Sequence, residues 1–503
     1  MDNTNGVKKI VKSMLSVSGI VILAKLAGFL RQMITANAFG ATIQTDIISI
    51  SEGLVANVDY LLVQSLSTAF VPIYICAKKE GTQQEKQFVS NTLKLFLLLT
   101  MVISVVFFLC STIIARILAP NYAEELTQRL STYIRIFSPI LIIIVQLAIF
   151  SSLLKANERF LPGELIGLNQ SIIVVMFVII AGYKIGPDVL VVSFYCYAVF
   201  NLIFLMICSK KYWSCQPKLS ISDPNVRKLF RMMGPLLLGY SVVFVNQQVD
   251  KIIVSGFEAG TVTAMNYAAV LSNFITTFIG SICTVLFTYI TQNISEGKTE
   301  EAASMTTNSV IQLVTLFLPI SILTIINAKD IVDIVFGRGK FDNDAVQNCS
   351  IALIGYSCMF VPFIIRELYS RFQYGYEDST RPMINSTLAI IVNIVLSIVL
   401  SQFIGVIGVT IATSISVAIC GGLNYSSSRK INKNIKIKGM MNASLRWLVG
   451  IMICIIVSLL GRSILIGGNM VLRFVIISSV SLLLYFIVTF PIIKPLICRM
   501  IRK

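Results

Sequence analysis

The chain has no histidine, and charged residues make up only 13% of its 503 positions, about half the share typical of soluble proteins. Without histidine, the side chain that most often serves as general base or metal ligand is missing. The eleven cysteines form no CxxC and no paired spacing, so no Cys/His metal centre is expected and the thiols read as small apolar packing groups. Phosphate-binding glycine loops and nucleophile elbows are also missing. The chain is therefore not expected to be an enzyme, and no metal or organic cofactor is expected.

What is present is apolar surface. Hydrophobic residues make up 56% of the chain and the mean hydropathy is +0.83. Apolar runs of about 20 residues, the length that carries a helix across the hydrocarbon core, recur from end to end. They are continuous rather than alternating, which favours helices over a barrel. The fold class is thus all-α and polytopic, with about fourteen spans beginning near residues 14, 46, 91, 130, 162, 188, 229, 262, 306, 349, 382, 405, 442 and 470. The basic start at Lys8, Lys9 and Lys12 could open a signal peptide, but Lys25 and Arg31 interrupt the apolar stretch that follows. A signal peptide has a shorter, uncharged core, so the segment reads as a retained first span.

The net charge of +17 is not a nucleic-acid signature, because the basic residues sit in clusters between apolar runs and form no continuous stripe. With the N-terminus cytoplasmic, the cytoplasmic breaks hold Lys78, Lys79, Lys86, Lys155, Arg159, Lys210, Lys211, Lys218, Arg227 and Lys228, and later Arg429, Lys430, Lys433, Lys436 and Lys438. The C-terminal tail adds Lys494, Arg499, Arg502 and Lys503. The opposite set holds few, among them Arg129, Lys184, Arg338 and Arg462. This bias predicts a multi-pass protein of the cytoplasmic membrane with both termini inside. A short repeat aligns Gly40-Ala41-Thr42-Ile43 with Ala259-Gly260-Thr261-Val262. Together with the equal span counts, it suggests two six-helix lobes, 1–208 and 209–428, followed by two further helices in 429–503.

Ionised groups within spans are costly and mark cavities or pairs. Lys25 and Arg31 lie in the first span, about 9 Å apart along the axis and on different faces. The second span carries Asp46, Glu52 and Asp59, of which Glu52 and Asp59, seven apart, share a face. Asp46 also suits an N-cap of its own helix. The seventh span has Asn246, Asp250 and Lys251, and the tenth has Arg366 and Glu367, for which an ion pair is an equal alternative. Kinks are expected near Pro139, Gly234-Pro235, Pro319 and Pro362.

Several segments stand out in order along the chain: Lys25-Leu-Ala-Gly28-Phe29-Leu-Arg31, Ala38-Phe39-Gly40-Ala41, Thr45-Asp46, Ala69-Phe70-Val71-Pro72 and Gly234-Pro235. Asn246 with Asp250-Lys251, Tyr267-Ala268, Val335-Phe336-Gly-Arg338-Gly339-Lys-Phe341, Glu377-Asp378-Ser379-Thr380-Arg-Pro382, Asn393 and Gly408 continue the series. Together they resemble the MurJ/MviN family of lipid II flippases. The resemblance implies two six-helix lobes around a central cavity plus two extra helices, and a polyprenyl-pyrophosphate-linked peptidoglycan precursor as substrate. It implies that basic residues bind the pyrophosphate, here Lys25 and Arg31 with help from Lys251 or Arg366. Asp46, Glu52, Asp59 and Asp250 are then candidates for charge pairing or for coupling to Na+, H+ or the membrane potential. Partners would be the lipid-linked glycan, membrane lipids and cell-wall synthesis proteins, with no nucleic acid. The chain departs from the family where it has Lys25 for arginine, Asp59 where a base is common, and Ala269-Val270 for Asp-Arg. A flippase for another polyprenyl-linked glycan of O-antigen or capsule type, a cation-coupled multidrug exporter and a non-transporting scaffold are the alternatives.

Overall fold

The computed structural model describes residues 2–214, 223–435, 438–464 and 469–501; Lys218, Lys436, Arg502 and Lys503 of the expected cytoplasmic clusters lie outside them. Among the described residues every regular element is a helix. In chain order these are α1 (Asp2–Phe39), α2 (Ile43–Glu80), α3 (Thr82–Leu109), α4 (Ser111–Leu118), α5 (Glu124–Phe137) and α6 (Ile140–Ala156). There follow α7 (Leu161–Ile185), α8 (Val189–Ser209), α9 (Pro224–Val254), α10 (Thr261–Ser295), α11 (Thr299–Ile326) and α12 (Ala328–Phe336). The last six are α13 (Asn343–Ser357), α14 (Phe360–Gly375), α15 (Thr380–Ile404), α16 (Val406–Ile431), α17 (Lys438–Ile464) and α18 (Met470–Ile501).

Twelve helical stretches are long and apolar enough to cross a membrane, and α9 adds another if its two arms, bent by 43°, form one span. One stretch, Leu161–Ser209, is 49 residues long, about 73 Å of helix and more than twice the hydrocarbon thickness. It is in fact α7 and α8, packed on each other about the short turn Gly186–Asp188. Counting these two separately accords with the expected fourteen. The expected kinks have different outcomes. Pro139 separates α5 from α6, and Pro235 lies in the first arm of the bent α9. Pro362 sits in the first turn of α14, where its missing N–H has no intrahelical partner to lose. Pro319 lies inside α11, which continues through it.

Two compact units divide the chain: Met1–Thr263 with Arg338–Phe341, and Ala264–Gly337 with Asp342–Lys503. In the first, α2 is the central helix and packs on α3, α5, α6 and α9. Leu62, Leu66, Phe70 and Tyr74 of α2 are buried with Phe88 and Phe96 of α3 and Leu229 and Met233 of α9. The repeat groups α9 with the later spans, yet it lies along α2 inside this first unit. In the second unit α16 packs on α13, α14 and α15, while α17 and α18 pack on each other and on α11. Phe360, Ile364, Leu368 and Phe372 of α14 are fully buried at helical spacing. Large apolar side chains on the outer helices are left bare, Leu109 at 73%, Ile180 at 72% and Ile207 at 68% exposure. Such a surface suits lipid, where burial against protein is not required.

Close backbone approach fixes the α13–α16 seam. A Cβ on Gly355 would collide with the Thr410 side chain and come within 3.1 Å of the Ile411 nitrogen. Gly355→Ala is expected to overpack this seam and to cost about 1–3 kcal/mol, read as a lowered thermal unfolding midpoint in detergent.

Candidate binding site in the first unit

Three helices of the first unit bring ionised side chains together, and a fourth adds a tyrosine. Glu52, half-buried on the central α2, lies within electrostatic reach of both Arg31 on α1 and Lys251 on α9. Tyr197 of α8, 7% exposed, feels the same Glu52 and Arg31 and also Asp59, seven residues along α2 from Glu52. Glu52 and Asp59 therefore share the face that their spacing predicts.

α9 runs against another face of α2. Tyr60 and Tyr240 meet edge to face at 5.6 Å. Nearer the other end, the Lys251 Nζ is seated so close to Gly53 that any Cβ there would occupy its place. Glycine at 53 thus lets an ammonium lie against the helix backbone beside Glu52. Along this pair of helices several buried polar atoms have no protein partner: Asn57 Nδ2, Asp59 Oδ1, Asn246 Oδ1 and both amide atoms of Gln248. Buried atoms of this kind cost about 1–3 kcal/mol each when left without a hydrogen bond.

The other expected residues lie elsewhere. Lys25 is exposed on α1, one position from the α1–α7 seam made by Ala24 and Gly28 against Gly167 and Ser171. Arg31 lies on another face of α1, so the two bases do not converge on one point. Asp250 is half-buried on α9. Arg366 belongs to the second unit, where its Nη2 donates to Glu367 at 2.8 Å and its guanidinium stands 5.1 Å from the Phe363 ring. Arg371 donates to the other oxygen of Glu367 at 3.3 Å, so the ion-pair reading describes this group.

Asp46 is not the cap of its own helix; Thr42 is, through a capping box with Thr45. Asp46 instead reaches the start of α10. The Gly260 N–H donates to Asp46 Oδ2 at 2.6 Å and the Thr263 N–H to Asp46 Oδ1 at 2.8 Å. A glycine cannot supply the capping side chain, and the fully buried carboxylate of Asp46 does so from outside. The same end of the unit is closely packed. Gly260, at φ +89°, lies against the Ala41 carbonyl, Gly40, at φ +66°, lies against the Lys340 carbonyl, and the Lys340 N–H donates to Asn37 O at 2.9 Å. The repeated segments thus meet where Gly260 approaches Ala41.

Tyr197 and Gly53 had no signal in the sequence, since a tyrosine in an apolar run and a glycine in a helix are both commonplace. Among the described residues, no cluster of three or more acidic, cysteine or histidine side chains could hold a metal ion.

Removing the Asp46 carboxylate should release two amides of α10. Asp46→Ala is expected to lose about 1–2 kcal/mol of stability. It should also raise labelling of a cysteine placed at Ala41 by a membrane-impermeant maleimide, with Asp46→Asn falling between.

Comparisons with known proteins agree with this architecture. Residues 35–481 match the family model described as lipid II flippase MurJ. A probable lipid II flippase MurJ of Rickettsia prowazekii (strain Madrid E) is 26% identical over 431 residues, 83% of this chain and 84% of the relative. That of Vibrio cholerae serotype O1 is 22% identical over 437 residues, 83% and 82%. A solved lipid II flippase MurJ in an inward closed conformation superposes with a TM-score of 0.83 at 19% identity, over 96% of this chain and 100% of that one. An inward-facing multidrug resistance MATE family transporter gives 0.65 at 13% identity, over 82% and 95%; at these identities the likeness is one of fold. With the family model matched across nearly the whole helical array, this chain belongs to the lipid II flippase MurJ family.

Proposed function

We propose that this protein carries lipid II, the polyprenyl-pyrophosphate-linked peptidoglycan precursor, from the cytoplasmic to the outer leaflet of the cell membrane. The observation that carries the reading is the pair of cations, Arg31 and Lys251, brought from different helices to α2 in a member of this family. Pyrophosphate is a compact anion, and two basic groups held away from bulk water attract it strongly because screening is weak there. The lipid tail has no such requirement and stays in the bilayer, so the protein shields only the polar head. Alternating exposure of the site to the two sides moves the head across. This is transport without bond making or breaking.

The excess of basic residues in one set of inter-helix breaks supports an orientation with both termini in the cytoplasm. In that orientation the tightly packed loops around Gly40, Gly260 and Gly339 lie on the outer side. Arg31 and Lys251 are the headgroup residues. Lys25, exposed on α1, is an approach residue, and Arg366, neutralised by Glu367, is not asked to compensate for it. Asp46 is occupied as a helix cap, so coupling to a cation falls to Asp59, whose Oδ1 has no protein partner. A charge moving through the membrane field gains about 2.3 kcal/mol per 100 mV, enough to bias the cycle.

In a strain depleted of its own lipid II flippase, the wild-type chain should restore growth. Arg31→Ala and Lys251→Ala should each fail to do so while inserting normally, Lys25→Ala should retain partial activity, and Arg366→Ala with Glu367→Ala should rescue. Full rescue by both Arg31→Ala and Lys251→Ala would refute the headgroup assignment.

A further inference from the structure

Glu52 is an unexpected neighbour for two cations offered to a phosphate. It is the anion nearest in kind to the substrate, and it stands on the central helix between helices that carry Arg31 and Lys251. The seat of Lys251 is built for this arrangement, because only glycine at 53 leaves room for its ammonium beside Glu52. Ion pairs at the edge of the unit close fully, as Arg129 does on Glu125 at 2.7 Å. Among the described residues neither Arg31 nor Lys251 closes on Glu52 in that way. Both cations are near enough to be compensated by Glu52 and loose enough to leave it. Tyr197 on α8 feels Glu52 and Asp59 alike, so the second carboxylate of α2 lies near the same group.

We infer that Glu52 is an internal counter-anion that competes with the substrate phosphate for Arg31 and Lys251, keeping the empty site compensated and promoting release of the bound head. The inference rests on the headgroup reading given above and deepens it. Of the groups that act directly on Glu52, the two cations outnumber it by one, and that excess attracts a phosphate anion. Once the phosphate is seated, it and Glu52 repel each other across the same cations, and the repulsion shortens the bound state. Binding energy is thereby kept low enough for turnover, since uniformly tight binding slows a cycle that must let go. Glu52 acts through the two cations rather than on the lipid and is a positioning residue in this sense.

The test separates affinity from rate. Purified wild type, Glu52→Gln, Glu52→Ala and Gly53→Ala would be titrated with undecaprenyl pyrophosphate in detergent, with inorganic pyrophosphate in a parallel arm to show whether the phosphate alone suffices. Flipping would be timed in proteoliposomes. Whichever neutral variant at 52 folds like wild type should bind the lipid about tenfold more tightly and flip it several-fold more slowly. Gly53→Ala, which displaces Lys251, should bind more weakly. Unchanged or weaker binding by a folded neutral variant overturns the counter-anion role while leaving the headgroup reading intact. No binding by wild type removes both.

Discussion

An ionised side chain among membrane helices must find its compensation inside the protein, and in the first unit that compensation runs through Glu52. A base at the centre of a lipid-facing helix costs about 2.5–3.5 kcal/mol even on the mildest scales. Arg31 and Lys251 avoid much of that cost by lying in reach of one carboxylate on the central helix. The rest of the unit follows from that requirement. α2 must be polar around Glu52, where it faces the Lys251 ammonium of α9, yet apolar where Leu66, Phe70 and Tyr74 enter the core. Gly53 must stay small so that α9 can bring an ammonium to its backbone. The buried amides of Asn57 and Gln248, unpartnered within the protein, extend the polar seam along the same two helices.

The second unit differs in closing its ion pairs and in linking several amides to one another. Gln373 donates to Asn424 O at 3.0 Å and to Ser428 Oγ at 3.1 Å, and Asn385 donates to Asn424 Oδ1 at 2.8 Å. Arg366 and Arg371 are both spent on Glu367. Asp330 accepts from Arg462 at 3.0 Å, which joins α12 to α17. The ion pairs here are closed, unlike the charges around Glu52, although buried polar atoms without a protein partner, among them Gln373 Oε1 and Arg462 Nε, occur in this unit as well.

Much of this was legible in the residues. Continuous apolar runs, the low charge and the scattered basic clusters carry the helical membrane class, and the seven-residue spacing of Glu52 and Asp59 places them on one face. Family motifs spread over the chain anticipated the architecture that the comparisons show. Other features depend on long-range packing that no local pattern encodes. Asp46 suits an N-cap, but only the folded chain reveals that the amides it caps are those of Gly260 and Thr263. Lys25 and Arg31 look alike in sequence, but only the fold shows Arg31 within reach of Glu52 while Lys25 is left exposed. Tyr197 joins the site because α8 folds back along α7, and Arg366 is withdrawn from it because Glu367 follows directly.

The central claim is that a lipid-linked phosphate sits among α1, α2 and α9 at Arg31, Glu52 and Lys251. The most direct measurement is photo-crosslinking with an undecaprenyl pyrophosphate analogue carrying a photoreactive group next to the phosphates, followed by peptide mapping. The account predicts labelled peptides from these three helices around the named residues, with labelling suppressed by excess unlabelled lipid. Competed labelling confined to the exposed face of α1 at Lys25, or to the second unit alone, would contradict it.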